Sequence, residues 1–584
     1  MAKINWPLQS RLASIVRFND RLQNRLSARV RPFSKKPKGF VARPEPRSIG
    51  NYSTGMRLME GEFRFAGSQI SAEKRSIWDL PPPDAGFEAE MHGFGWADDL
   101  AAVGDATARR LLQSWLMDWV RRYGNGTGPG WQPELAGRRL IRWIGHAAFL
   151  IADLDTTQSR KMFACMGRQA SYLRVGWCRA RVGLPRFEAL TGLVYAELAL
   201  EGRQGSLKST IADLGAECEK QVGGDGGIPS RNPEELNEIF TLLTWAAQTL
   251  QECGHQPDQR QLDAMIRIAP TLRSLRMGDG LLARFHGGGT GPEGRLDQSL
   301  ADVGVHGLKR EELAMGFARI NAGRTLLVMD CAAPPTGRAS LIAQASTLAF
   351  ELSTGRRRLI VNVGPGLRFG REWQMKSRHS AAQSGLAVER TSSSRFAVRD
   401  ARKTFAEVPG EVVVHRASDL TGSWIQATQN GYENTHGLIH ERRVYLASSG
   451  KEIGGEDILT SPRGRARTRY AKSVEGAPQL GILFTLHFHL HPEVTATIDA
   501  SATTITLTLK SRELWTFRQH GGELQLVESH YLDPAFLRPK ATKQILITGR
   551  VVQYAGDITW SLQRVEDGSG YTRDLVADEG ELSE

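Results

Sequence analysis

The chain has 584 residues, too many for one ordinary core, so two or three domains are expected. Its 75 Lys and Arg outweigh 63 Asp and Glu, a formal net charge of +12. That balance suits a polyanionic partner, nucleic acid or acidic polysaccharide, and equally suits simple solubility. No apolar run approaches the roughly 20 residues that cross a bilayer, since the longest, 140–153, is broken by Arg142 and His146. Five cysteines with no C-x-x-C pair argue against a zinc knuckle or a disulfide framework.

Residues 1–50 form a basic N-terminal segment, with twelve Lys and Arg against Asp20 and Glu45. Within it Leu12, Ile15, Val16, Leu22 and Leu26 recur at helical spacing among five arginines. Such a helix over 11–30 fits peripheral contact with an anionic membrane surface, or docking on its own protein. Phe18 is its single aromatic residue and no binding module is recognisable, so nucleic acid is not expected as a partner. No apolar signal-peptide core is visible there, which predicts a cytoplasmic or inner-membrane-face location.

Residues 51–305 are expected to be helical, with apolar stripes over 107–123, 138–152, 190–201, 211–221, 233–253 and 261–277. Helices in series with wide apolar faces pack as hairpins into a bundle, solenoid or toroid. Residues 306–565 change texture to short β-type runs separated by turn residues. Eleven such runs, beginning at 324–330 and ending at 557–564, predict a large antiparallel β-sandwich. Residues 566–584 form an acidic tail expected to be disordered.

The run Leu486-His487-Phe488-His489-Leu490-His491-Pro492 places three of the fourteen histidines within five residues. On a strand the three imidazoles share one face, with Phe488 and Leu490 on the other. Imidazole ligates metals and moves protons near neutral pH. The same pattern also fits a hydrogen-bonded or solvated strand face.

Several segments together resemble the heparinase II/III family of polysaccharide lyases across most of residues 50–565. They are His92-Gly93-Phe94, Trp131-Gln132-Pro133-Glu134, Arg138-Arg139-Leu140-Ile141-Arg142-Trp143 and Ser230-Arg231-Asn232-Pro233 in the helical half. In the strand half they are Leu348–Ser353, Val361-Asn362, Gly431-Tyr432, Gly437-Leu438-Ile439-His440 and Phe488–Pro492. The resemblance implies an incomplete α/α toroid followed by an antiparallel β-sandwich. It implies β-elimination on a uronic-acid-containing acidic polysaccharide or oligosaccharide, with no cofactor and no metal in the step itself. It also leaves a periplasmic location open.

Such a reaction removes the C5 proton of a uronic acid while hydrogen-bond donors neutralise the neighbouring carboxylate. The resemblance casts Asn232 as the neutraliser and Tyr432 and His440 as acid and base. Arg231, Gln383, His489 and His491 are the expected substrate contacts. Asn232 before Pro233 equally suits a helix N-cap, Tyr432 a turn-flanking aromatic and His440 a packed histidine. The sequence also departs from the family, with Gln383, Gln344 and Ile228 where histidine is frequent and Gln429-Asn430 in place of His-Asp. Glutamine hydrogen-bonds but takes no proton at neutral pH. Those departures favour an alternative, a divergent non-catalytic member that binds or helps assemble an anionic envelope polysaccharide. His286, His306 and His379 are candidate replacements for a lost base.

Overall fold

A computed structural model describes residues 37–304, 312–397, 403–475 and 478–566. The basic helix expected at 11–30, His306 and the tail beyond 566 lie outside the described residues. The chain divides into two compact units, Met1–Val222 with Glu238–Ile266, and Gly223–Asn237 with Arg267–Glu584.

The first unit is helical. Its longer helices are Ala106–Tyr123, Pro133–Gly145, Thr156–Gly176, Leu184–Ala199 and Leu207–Gln221. Asp105 and Asp155 cap two of them by accepting the backbone N–H groups of Ala108 and Gln158. Helix Pro133–Gly145 lies tight against Leu184–Ala199, because a Cβ at Gly192 would come within 2.3 Å of the Gly137 Cα. Two glycines facing each other let the backbones approach this closely.

The motifs His92-Gly93-Phe94 and Arg138–Trp143 build this unit's core. Arg139 is fully buried and donates to Gln169 Oε1 at 2.8 Å, to the His92 carbonyl at 2.7 Å and to the Gly130 carbonyl. Its guanidinium lies 4.0 Å from the Trp119 ring centroid. With no carboxylate beside it, burial pulls its pKa down to about 9. Trp119 Nε1 donates to His92 Nδ1 at 2.9 Å, and burial together with Arg139 holds that imidazole neutral, its pKa lowered to about 3. Among the described residues no helix is long and apolar enough to cross a membrane.

The second unit holds two eight-stranded sheets in which all pairings are antiparallel. One runs in the order Val412–Ser418, Gly422–Gln429, Ile439–Ala447, Glu452–Thr460, Ala555–Glu566, Leu514–His520, Thr504–Thr508, Thr495–Ile498. The other runs Glu523–Tyr531, Lys540–Val551, Ile482–Leu490, Arg357–Val361, Phe350–Thr354, Thr325–Asp330, Phe317–Ala322, with Leu386–Val388 paired beside Ile482–Leu490. Their apolar faces form one core. The Phe350 and Trp560 rings stack at 5.6 Å, and Phe488 meets Phe517 at 5.3 Å. The expected sandwich is therefore present.

Strand Ile482–Leu490 shows the expected alternation. Ile482, Phe484, Leu486, Phe488 and Leu490 are buried in the core while His487 and His489 occupy the other face. The strand ends at Leu490, so His491 begins the turn before Pro492.

Candidate functional site

Of the expected site residues, Gln383, Tyr432, His440 and His489 gather around the segment Ser377–Leu386, which runs into strand Leu386–Val388. Ser384 is its hub. Its carbonyl accepts from Arg442 at 3.1 Å, its hydroxyl donates to the Val361 carbonyl at 2.6 Å and accepts the His489 N–H at 3.0 Å.

On one side of the hub, Arg442 clasps Asp457 with two bonds, Nε to Oδ1 at 2.7 Å and Nη2 to Oδ2 at 3.1 Å. His440 Nε2 donates to the same Oδ1 at 2.8 Å, and the Trp560 indole donates to Oδ2 at 3.0 Å. That indole reaches Asp457 by lying across Gly455, where any Cβ would sit 2.1 Å from its ring. Burial alone would raise the Asp457 carboxyl, but Arg442 and His440 outweigh it and hold the pKa at about 2. Burial keeps His440 neutral, its pKa below the usual value, since Asp457 is already matched by Arg442. Its second nitrogen faces the Gln429 amide at 3.5 Å.

Tyr432 is fully buried and its hydroxyl donates to the Leu386 carbonyl at 2.6 Å. Burial drives its pKa up, far from the range in which a phenol gives up its proton. His489 also has both nitrogens occupied. The Ala381 carbonyl, 3.0 Å away, accepts only, so Nε2 carries the hydrogen and Nδ1 accepts from Ser529 Oγ at 2.8 Å. Burial, reinforced by His487, lowers its pKa to about 3. His491 packs edge-on to Tyr531 at 5.0 Å, and burial with Arg358 and Arg284 lowers its pKa to about 3.

Two glutamines that stand where histidine is frequent meet at one atom. Gln383 Nε2 donates to the Ser377 carbonyl at 2.7 Å and Gln344 Nε2 to the same carbonyl at 3.2 Å. Gln344 accepts the Gly287 N–H at 3.4 Å, and its own N–H points to His286 Nδ1 at 3.4 Å. The opposite nitrogen of His286 lies 3.3 Å from Asp330, which also binds Ser346 Oγ at 2.6 Å and Arg231 at 2.5 Å. Burial opposes ionisation of Asp330, yet Arg231 and His286 hold its carboxyl well below the ordinary range. His379, the other described replacement candidate, is exposed and sits 3.2 Å from Ser392 Oγ.

Arg231 and Asn232 adjoin this second cluster. Arg231, in the left-handed region at φ 52°, donates to the carbonyls of Met315, Gly316, Ala332 and Ala333 besides pairing with Asp330. Asn232 Oδ1 accepts the N–H groups of Glu234 at 3.0 Å and Glu235 at 3.1 Å, an N-cap for the helix Pro233–Glu252. Among the described residues no group of three His, Cys, Asp or Glu side chains is placed to hold a metal ion.

The cluster contains residues that sequence reasoning missed, chiefly Asp330, Ser384, Arg442 and Asp457. Asp457 was detectable in principle. It alternates with Ile453 and Leu459 on the buried face of a strand, and a carboxylate there demands a cation.

Comparison with known proteins accords with this architecture. Residues 310–561 match the family model described as Heparinase II/III-like, C-terminal. The match covers the strand-rich part of the chain, which carries a heparinase II/III-like C-terminal domain. A crystal structure of heparinase III aligns over 97% of this chain and 93% of its own, with a TM-score of 0.69 at 11% identity. The heparan sulfate lyase HepC from Pedobacter heparinus aligns over 94% and 88%, with a TM-score of 0.55 at 15% identity. At these identities the likeness is one of fold, an α/α toroid followed by a β-sandwich. In sequence the chain is 27% identical over 546 residues to FtsZ-localized protein C of Caulobacter vibrioides, covering 91% of each.

Proposed function

We propose that this chain is a non-catalytic member of the family, a lyase-fold protein that binds an acidic glycan without cleaving it. One observation carries the reading, namely that Tyr432 and His440, the acid and base candidates, are each buried and engaged inside the protein. An eliminating base needs a free lone pair within hydrogen-bond reach of the substrate proton. Asn232 spends its Oδ1 on capping a helix and is itself buried, whereas a carboxylate-neutralising amide needs room for the sugar beside it. The acidic glycan is carried over from the lyase fold and suits the net charge of +12. The name of the Caulobacter relative adds a place of work, localisation with FtsZ.

The test incubates the full chain with heparan-, alginate- and chondroitin-type glycans. It follows ultraviolet absorption from an unsaturated uronate, and binding by calorimetry. The reading expects saturable binding of at least one glycan, no absorption signal, and binding unchanged in Asn232→Ala and Tyr432→Phe. An unsaturated product that vanishes in either variant would restore the lyase.

A further inference from the structure

The helical unit contains a cavity of about 850 Å³, within the range of pockets that enclose small-molecule ligands. Leu58, Phe63, Trp115 and Val120 are buried residues that form an apolar floor. Two helices frame it with matched stripes. Leu111, Trp115, Asp118 and Arg121 recur at helical spacing on Ala106–Tyr123, as do Lys161, Ala164 and Arg168 on Thr156–Gly176. Lys74 and Arg75 enter from the turn after the hairpin strand Ser68–Ser71.

The charge on this cavity is one-sided. Five cations line it, Lys74, Arg75, Arg121, Lys161 and Arg168, against the single carboxylate of Asp118. Asp118 is already engaged by Arg121, by Arg122 at 2.9 Å and by Ser76 Oγ at 3.3 Å. Arg168 donates to the Gly124 carbonyl at 2.7 Å. Lys74, Arg75 and Lys161 are exposed and have no carboxylate partner among the described residues. Three uncompensated cations beside an apolar floor match a ligand with an anionic head and an apolar body.

We propose that this cavity binds a single-chain amphipathic anion. Its phosphate or carboxylate head rests on Lys74, Arg75 and Lys161, and its alkyl body covers Trp115 and its apolar neighbours. The proposal concerns a site and a ligand separate from the glycan reading, so either can fail alone.

Octyl phosphate is the probe, titrated as a monomer into the full chain at low salt by calorimetry, with Trp fluorescence as a second readout. Saturable binding is expected, with inorganic phosphate and octanol each weaker by about tenfold or more, since each lacks one half of the match. Octanoate in a parallel titration distinguishes a carboxylate from a phosphate head. The double variant Arg75→Glu/Lys161→Glu should weaken octyl phosphate by about tenfold or more. Circular dichroism should be unchanged, because both side chains are exposed. The milder Arg75→Gln/Lys161→Gln should weaken it in the same direction. Absence of saturable binding, octanol binding as tightly as octyl phosphate, or equal affinity in the charge-reversed protein would each overturn the proposal.

Discussion

Around Ser384 the charged side chains are buried and mutually engaged, whereas along the helical cavity Lys74, Arg75 and Lys161 face an apolar floor with no carboxylate to meet them. The first region is where the resemblance to lyases directs attention, and its hydrogen-bonding capacity is turned inward. The second carries no motif of the family, and its capacity is turned outward. Buried polar groups that satisfy one another define a fold, because removing any one strands its partner. Uncompensated cations on an open wall contribute little to stability and are free to meet a ligand.

Four measurements sharpen this contrast. The largest effect is expected from Asp457→Ala, which strands the buried Arg442 and the Trp560 indole donor. Loss of about 3–5 kcal/mol is expected, read as a lower urea midpoint for the strand-rich unit. A change below about 1 kcal/mol would show that the cluster is not the keystone its geometry indicates.

The next effect depends on pH. His489 has a native pKa of about 3, against about 6.5 when unfolded. As pH falls from about 6.5 to 3 the unfolded chain takes up the proton first, so stability falls with pH. The slope from this one residue is up to about 1.4 kcal/mol per pH unit. His489→Gln removes that share while losing part of the bonding to Ser529 and Ala381. The variant should therefore be the less stable at pH 7, and its deficit should shrink or reverse near pH 4. A deficit constant with pH would mean that His489 titrates alike in the folded and unfolded chain, and that burial does not lower its pKa.

A smaller effect separates a cap from a catalytic amide. Asn232→Ala should cost about 1 kcal/mol and Asn232→Asp close to nothing, since aspartate also caps a helix. Urea unfolding of both variants provides the measurement, and equal losses would break the cap assignment. The exposed Arg75 and Lys161 provide the opposite pole, with glutamine at both positions expected to shift stability by no more than about 0.5 kcal/mol.

Much of the fold was legible because its periodicities are strong. Leu486–Leu490 alternates cleanly, and the predicted stripe at 107–123 coincides with helix Ala106–Tyr123. Helix Thr156–Gly176 escaped because its buried face is built from Met162, Phe163, Cys165, Met166, Gly167 and Gln169 rather than a clear aliphatic stripe. Strand Glu452–Thr460 escaped because Gly454 and Gly455 read as a turn. Gly455 is in fact the gap that admits Trp560. The candidate site was legible as residue types and not as contacts. Nothing in the order Asn232, Tyr432, His440 discloses that each finds its partner inside the protein.

What the sequence determined by itself was the architecture, helices first and an antiparallel sandwich second, with a family likeness carried by short motifs. Repeating apolar spacing is local information, and local information survives in one dimension. The state of each polar group was decided only by the tertiary structure, because that state depends on partners far away in the chain. Asp457 reaches Trp560 across 103 residues, and His489 reaches Ala381 across 108. Burial then sets whether an imidazole stays neutral, a phenol keeps its proton or a carboxylate remains ionised.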